Sequence, residues 1–486
     1  MKRYQLPVML ILGLWLMGQT LVAQDKFFPK AKLLEDLKVF RAVMEEIHPG
    51  LYFYRSKDEI NRDLAQIADS LKPQTSELDF YRQIIRFISK IGCGHTWADP
   101  EKTLDNVLWK ETKQFPLKIR LIKGKMYCLE TYTLQNKGIQ LGDEILRING
   151  YSSHTLVKQM MPYTVGDGTI VSGRMRLIEN LFGFFYGLIY GQTNSFTVDY
   201  INAQGVQATT TLVGLSVAEL KKIKQDLKNK LDDSPRNLHL QFYPKQGTAH
   251  LKIKGFFDWE VDSKEVSFEK ALKKAFEKIA AAKTKYLILD LRNNGGGEGK
   301  LGLQTLTYLM NQPFIQFKEA FVKAINPKSR SYTDITDDLI KELTEVTKKK
   351  GDHHFVLTNT VSDKPVQPRQ PNFAGKIYVL TDGNTFSTAA DVAAILFAQR
   401  KATFIGEEMG GSYYGNSSDF FVFATLPHSK VKVRIPLVGF RNNVSKLFPN
   451  GRGVIPKHRI EPQIQDIIAG HDVVLKFALD LIQQQK

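Results

Sequence analysis

Two short runs, Tyr286-Leu287-Ile288-Leu289-Asp290-Leu291 and Ile377-Tyr378-Val379-Leu380, are apolar almost without interruption, and they constrain the fold more than any other feature of the chain. A strand with one face in water alternates apolar and polar residues, whereas a strand covered on both faces does not. From about Leu238 to the C-terminus such runs alternate with helical patterns, so this region reads as an α/β domain with helices packed on its sheet. In sheets of that kind, chemistry gathers at the carboxyl ends of the strands. Both runs end unusually: the first in Arg292-Asn293-Asn294-Gly295-Gly296-Gly297, the second in Thr381-Asp382-Gly383-Asn384-Thr385-Phe386-Ser387-Thr388.

The 486 residues are enough for about three domains. Apolar residues recur at helical spacing from Lys30 to Ile47, before the stop signal His48-Pro49-Gly50, and a second helix is expected over Glu77 to Ile91. That helix runs directly into Gly92-Cys93-Gly94-His95-Thr96. Between Phe115 and Gly214 the pattern changes to short strands, with a helical insertion over Gly168 to Gly191. The segment Gly138-Ile139-Gln140-Leu141-Gly142-Asp143-Glu144-Ile145-Leu146-Arg147-Ile148-Asn149-Gly150 resembles the PDZ signature, although a typical carboxylate-binding loop is missing. PDZ domains bind chain ends by adding them as an extra strand. A charged helix from Val217 to Leu231 leads into the remainder. The expected organisation is a signal peptide over 1–23, an N-terminal helical domain over 24–113, a PDZ-like domain over 114–214, a helical linker over 215–237 and an α/β core over 238–486.

Residues 1–23 join a basic start (Lys2, Arg3) to an apolar run and end in Leu21-Val22-Ala23, the form of a secretory signal peptide cut after Ala23. Export to the periplasm or beyond is therefore expected. No Cys follows the cut, which argues against a lipid anchor, and no later stretch has the length of a membrane span. The formal charge of +17 is dispersed, with Lys221 to Lys230 and Lys348 to Lys350 in separate segments, so it reads as solvated faces, with attraction to acidic surface polymers or anionic lipid as the alternative, and not as a nucleic-acid footprint. With only Cys93 and Cys128, a disulfide framework is excluded, though a single bridge is compatible with export. His353-His354 lacks neighbours at ligand spacing and there is no HExxH pair, so neither metal nor organic cofactor is implied.

Glycines where a chain leaves a sheet allow close backbone approach and outward N–H groups, and a serine between strand and helix is lifted off the sheet edge. Each feature alone also fits a flexible turn or a helix cap. Together, in order, Leu289-Asp290-Leu291-Arg292-Asn293-Asn294-Gly295-Gly296-Gly297, Thr385-Phe386-Ser387-Thr388-Ala389-Ala390-Asp391 and Phe404-Ile405-Gly406-Glu407-Glu408-Met409-Gly410-Gly411 resemble the tail-specific, or C-terminal processing, serine peptidase family. Gly451-Arg452-Gly453-Val454-Ile455-Pro456 and Gly470-His471-Asp472 resemble its final segment. The resemblance implies a multidomain α/β protein with a ClpP/crotonase-like peptidase core, polypeptide substrates and Ser387 as nucleophile.

Dyad members of that family take a lysine as base; here Ser412 stands in its place, and a hydroxyl's pKa is far too high for the task. The branch similar to the tricorn protease core uses a histidine from upstream, in a segment that Gly94-His95-Thr96 resembles, which implies His95 as base. The third member does not carry over, since Gly94 and Arg452 stand near the matching places; Glu461, Glu408 and Asp391 remain open as orienting acids. For the oxyanion hole the resemblance implies Gly296 and Thr388, with Gly297 the neighbouring alternative to Gly296. Cys93 is too close in sequence to His95 to pair with it as nucleophile. The competing expectation is an inactive peptide- or lipid-binding protein of the same fold, with Phe182, Phe184, Phe185 and Tyr186 either lining an apolar pocket or packing in the core.

Overall fold

The computed structural model describes residues 26–132, 138–230, 237–261, 264–351, 354–358, 364–400 and 402–485; the expected signal peptide lies outside them. The two apolar runs occupy adjacent central positions of a six-stranded sheet in the order Leu238–Tyr243, Thr248–Ile253, Tyr286–Asp290, Lys376–Thr381, Thr403–Gly406, His458–Arg459. The first pair is antiparallel and the other four pairings are parallel.

Their lack of alternation has the expected cause. Leu287, Leu289, Ile377 and Val379 point to the face covered by the helices Phe268–Ala281, Gly299–Leu309 and Thr388–Arg400. Ile288, Tyr378 and Leu380 point to the other face, beneath the helix Val473–Gln483. Each side chain of this size removed from water contributes about 1.5–3 kcal/mol, so a polar substitution on either face is costly. Asp290 is the buried exception, held by Arg292 through Nε to Oδ1 (2.8 Å) and Nη2 to Oδ2 (2.6 Å). Burial opposes the charge on Asp290, but the Arg292 guanidinium and His250 outweigh it and hold the carboxyl far below its usual range.

A second, antiparallel sheet runs in the order Thr347–Lys350, His354–Leu357, Phe317–Val322, Lys432–Asn442, Ser417–Thr425. Onto its long strand the N-terminal region adds a short one, Trp97–Asp99, with Val433 opposite Ala98 and Arg434 opposite Trp97. This pairing draws the segment after His95 onto the C-terminal half of the chain.

The expected helices Lys30–Ile47 and Glu77–Ile91 are present; a third, Lys57–Ser70, lies between them, started by a capping box of Ser56 and Glu59. Residues 117–213 build an antiparallel sheet ordered Leu117–Ile122, Lys125–Thr131, Glu144–Ile148, Ser195–Ile201, Gln207–Val213, with the helices Val171–Asn180 and Phe182–Tyr190 in the insertion. Phe182, Phe184, Phe185 and Tyr186 are buried in the core, where Phe184 stacks on Trp109 at 4.2 Å and Tyr186 meets Phe196 edge-on at 5.3 Å. The lipid-pocket reading of this cluster therefore gives way to packing. Among the described residues no helix is long and apolar enough to cross a membrane.

Candidate active site

The turns after the two apolar strands are tied to each other before either presents a reactive group. Asp382 Oδ1 accepts the N–H groups of Asn293 and Asn384 at 3.0 Å each. Thr385 Oγ1 donates to the Leu291 carbonyl at 2.9 Å, and the Phe386 N–H donates to the Asn294 carbonyl at 3.0 Å. Held this way, the chain turns sharply at Ser387, whose φ of 53° lies in the left-handed region, and then enters the helix Thr388–Arg400. A non-glycine residue there costs roughly 1–2 kcal/mol, a strain the surrounding bonds must offset. The result is a serine hydroxyl raised off the sheet at a helix N-terminus, where the positive end of the helix dipole favours developing negative charge.

His95 reaches the same point from the amino-terminal side. Gly92, at φ 76°, ends the helix Glu77–Ile91, and its carbonyl accepts the Gly168 N–H at 2.8 Å. The Gly94 N–H donates to Asp167 Oδ1 at 2.9 Å, while Asp167 Oδ2 accepts from the Ser412 N–H at 3.2 Å. Thr96 Oγ1 lies 2.8 Å from His48 Nε2, and His48 Nδ1 accepts the Gly50 N–H at 3.0 Å. With Nδ1 used as acceptor, His48 must carry its proton on Nε2 and donate to Thr96. These bonds on both sides of His95 bring its Nε2 to 3.1 Å from Ser387 Oγ, across 292 positions of sequence.

The His95 ring is buried. It stacks on Phe386 with centroids 4.7 Å apart, and more distantly on Phe421 at 6.3 Å. Its Nδ1 has no hydrogen-bond partner. Burial, and secondarily the Arg434 guanidinium, push its pKa down to about 3 from the usual 6.5, so the imidazole is neutral at physiological pH. Arg434 also donates from Nε to the His95 carbonyl at 3.2 Å. The ring plane is thus set by aromatic contact and backbone bonds, with no carboxylate behind it.

The open candidates for an orienting acid do not bond to His95. Glu408 takes Arg452 Nε at 2.8 Å and Nη2 at 2.5 Å, and Asp391 takes the Asn416 side-chain amide at 3.1–3.2 Å. Glu461 lines a groove beside Glu407 and Arg459. None of the three is bonded to His95 Nδ1. Ser412 is buried and accepts the Tyr414 N–H at 3.3 Å. Cys93 and Cys128 are both free and buried, and burial raises the Cys93 thiol to about 11, which removes it as a nucleophile. No group of metal-ligating side chains exists among the described residues.

Gly296 does not present the N–H expected of it. That group donates to Asn294 Oδ1 at 2.9 Å, and the Gly296 carbonyl accepts from Phe256 N–H at 2.9 Å. Gly297 sits opposite Phe256 in a parallel bridge made by the Gly296 carbonyl and the Glu298 N–H. Its own N–H therefore lies on the other side, where its carbonyl accepts Thr388 Oγ1 at 2.6 Å. Neither the Gly297 nor the Thr388 N–H is spent in a backbone hydrogen bond. The role of Gly296 is close approach: at φ 102°, a methyl group there would lie 2.7 Å from Ser387 Cβ and 3.0 Å from Thr388 N. Gly296→Ala is accordingly expected to displace the serine and lower kcat/KM on an unfolded protein by about 10²-fold or more. A variant with parental kcat/KM would show that this contact does not matter.

Residues 247–465, which include both turns and Ser387, match the model of peptidase family S41. That segment is of peptidase family S41. The protein is accordingly a serine peptidase, a hydrolase acting on proteins. Among solved structures, mature CPAF complexed with lactacystin aligns at 13% identity and a TM-score of 0.67, over 94% of this chain and 98% of that one. Mature CPAF alone aligns at 13% identity and a TM-score of 0.66, over 94% and 97%. At this identity the likeness shows a shared multidomain fold. A comparison with curated proteins finds no match.

A second buried acid sits one turn into the helix that follows Ser387. Burial raises the Asp391 carboxyl from 3.8 to about 7, with Asp167 and Asp419 adding smaller repulsions and Asn416 and Asn442 opposing it. A carboxyl that binds its proton more tightly when folded gives stability that is full below about pH 4 and is lost as pH rises through 7. Asp391→Asn is expected to relieve that loss, raising Tm by a few degrees more at pH 8 than at pH 5. An equal shift at both pH values, measured by calorimetry, would show that Asp391 does not titrate in this window.

Proposed function

We propose that this peptidase is an exported serine endopeptidase that cuts unfolded polypeptides and protein tails, with Ser387 as nucleophile and His95 as general base. The observation that carries the reading is the 3.1 Å approach of His95 Nε2 to Ser387 Oγ. In the reaction the hydroxyl proton passes to Nε2 as Oγ attacks the peptide carbonyl, and the same proton then goes to the leaving amine. Water repeats the sequence on the acyl-enzyme and releases the acid. The oxyanion is taken by the N–H groups of Thr388 and Gly297, in place of Gly296. One such donor is worth about 2.7–4 kcal/mol of transition-state stabilisation.

Chain ends are proposed to be gathered at the groove of about 960 Å³ between the 117–213 sheet and the core, where Leu121, Val157 and Met161 give apolar surface and Lys123, Lys158 and Arg459 give cationic charge beside the acidic Glu407, Glu408 and Glu461. The Leu121 N–H on the outer edge of its strand is already taken by Glu179 Oε1 at 2.7 Å, so a tail adding there as a strand displaces that carboxylate. Tethering would then supply preference through effective concentration. Residues 1–23 are proposed to direct export.

The test is mass spectrometry of the products from an unfolded protein incubated with the purified chain. Internal cuts that disappear with Ser387→Ala are expected, and a mature N-terminus at Gln24 in protein recovered from cells. Trimming only from chain ends would overturn the endopeptidase reading, and an intact Met1 would overturn export.

A further inference from the structure

The helix Val171–Asn180 belongs by sequence to the insertion in the 117–213 sheet, yet it lines a cavity that Gly94 and Phe386, the chain neighbours of His95 and Ser387, also line. Gly173 is seated directly on the turns of the core: a methyl group on it would lie 3.2 Å from Gly410 Cα and 3.3 Å from the Gly383 carbonyl. Ion pairs and hydrogen bonds hold the helix from both sides. Arg176 Nη2 reaches both Glu407 oxygens at 2.7 Å, and Arg174 donates to the Ser89 carbonyl at 3.0 Å and its hydroxyl at 2.9 Å. Between this helix and the residues flanking the nucleophile lies a cavity of about 380 Å³. Phe386, next to Ser387 in the chain, forms part of its lining, and so does Gly295, next to the glycine that touches Ser387.

The lining has a definite chemistry. Val165, Leu177 and Phe386 are the partly buried apolar side chains, while Asn180 and Asn293 are exposed at the mouth; glycines and Asn384 complete it, and no acidic or basic residue takes part. An ammonium or carboxylate placed there loses water without gaining a counter-charge, whereas an apolar side chain is favoured by its burial.

Resting on the peptidase reading of Ser387, we propose that this cavity receives the side chain on the acyl side of the cut bond, that it selects an uncharged apolar residue, and that Leu177 is the specificity-determining residue. Discrimination would then come from an element outside the family-matched segment 247–465, so that the inserted helix sets what the core cuts.

The test uses the full chain and five quenched peptides identical except for Leu, Phe, Ala, Lys or Asp at the acyl-side position. Parental protein is expected to cut after Leu or Phe at least about 10²-fold faster in kcat/KM than after Lys or Asp. Leu177→Glu is expected to narrow the Leu-to-Lys ratio by about 10-fold or more. Leu177→Ala, a milder change, should raise the Phe-to-Leu ratio by about 5-fold. A small fluorophosphonate probe, which needs no side-chain pocket, reports Ser387 separately, and its labelling rate should be unchanged in both variants. Labelling together with equal cutting of all five peptides overturns the pocket alone. Preference for a charged residue, or ratios untouched by both Leu177 variants, does the same. Absence of both labelling and cleavage overturns the role of Ser387, and the pocket with it.

Discussion

Ser387→Ala is expected to reduce hydrolysis of an unfolded protein by about 10⁴- to 10⁶-fold while leaving Tm within about 2 °C of the parental value. The size of the loss follows from how little else at the site can attack. The neighbouring thiol of Cys93 is buried and held protonated, and Ser412 is buried with its hydroxyl bonded to the chain. The small stability change follows from the backbone. Alanine at φ 53° carries the same left-handed strain as serine, and the side-chain bond lost is the one to His95. Residual activity above one per cent, measured by the release of new amino termini, would mean that another group does the chemistry.

His95→Ala is expected to lower kcat/KM by about 10²- to 10⁴-fold, a smaller loss, since the hydroxyl, the oxyanion donors and substrate binding remain. The parental pH profile carries further information. Because burial and Arg434 hold the imidazole pKa near 3, the base stays neutral on mild acidification, and His95 protonation should set an acid limb below about pH 5 and not near the usual 6.5. The same features have a cost. An imidazolium formed there in the proposed reaction would be opposed by its buried surroundings, with no acid on Nδ1 to stabilise it. His95→Ala at parental rate, or a parental acid limb near 6.5 that vanishes with the substitution, would contradict this account of the base.

The central sheet was legible because its strands are buried on both faces, which suppresses the alternation that an exposed face imposes. The helices Lys30–Ile47 and Glu77–Ile91 were legible from periodicity, the first also from the stop signal at His48-Pro49-Gly50. Less local features were not. Trp97–Asp99 is a strand of three residues whose partner lies more than 300 positions away, too short for any pattern to show. The glycine triplet marked an anion cradle, but which N–H is free depends on the Asn294 side chain bending back to Gly296, a bond with no periodic signature. The choice of Glu408 for Arg452 in place of His95 is likewise a matter of spatial pairing. A helical insertion over 168–191 was readable, whereas the place of Val171–Asn180 against Gly383 and Gly410 depends on close packing at Gly173.

The pairing of Ser387 with His95 is tested most directly by the rate and position of fluorophosphonate labelling in the parental chain, Ser387→Ala and His95→Ala, with the adduct mapped by mass spectrometry. The account predicts one adduct per chain on Ser387, none in Ser387→Ala, and slow labelling of the same residue in His95→Ala. An adduct elsewhere, or labelling of Ser387 at the parental rate without the imidazole, would contradict it.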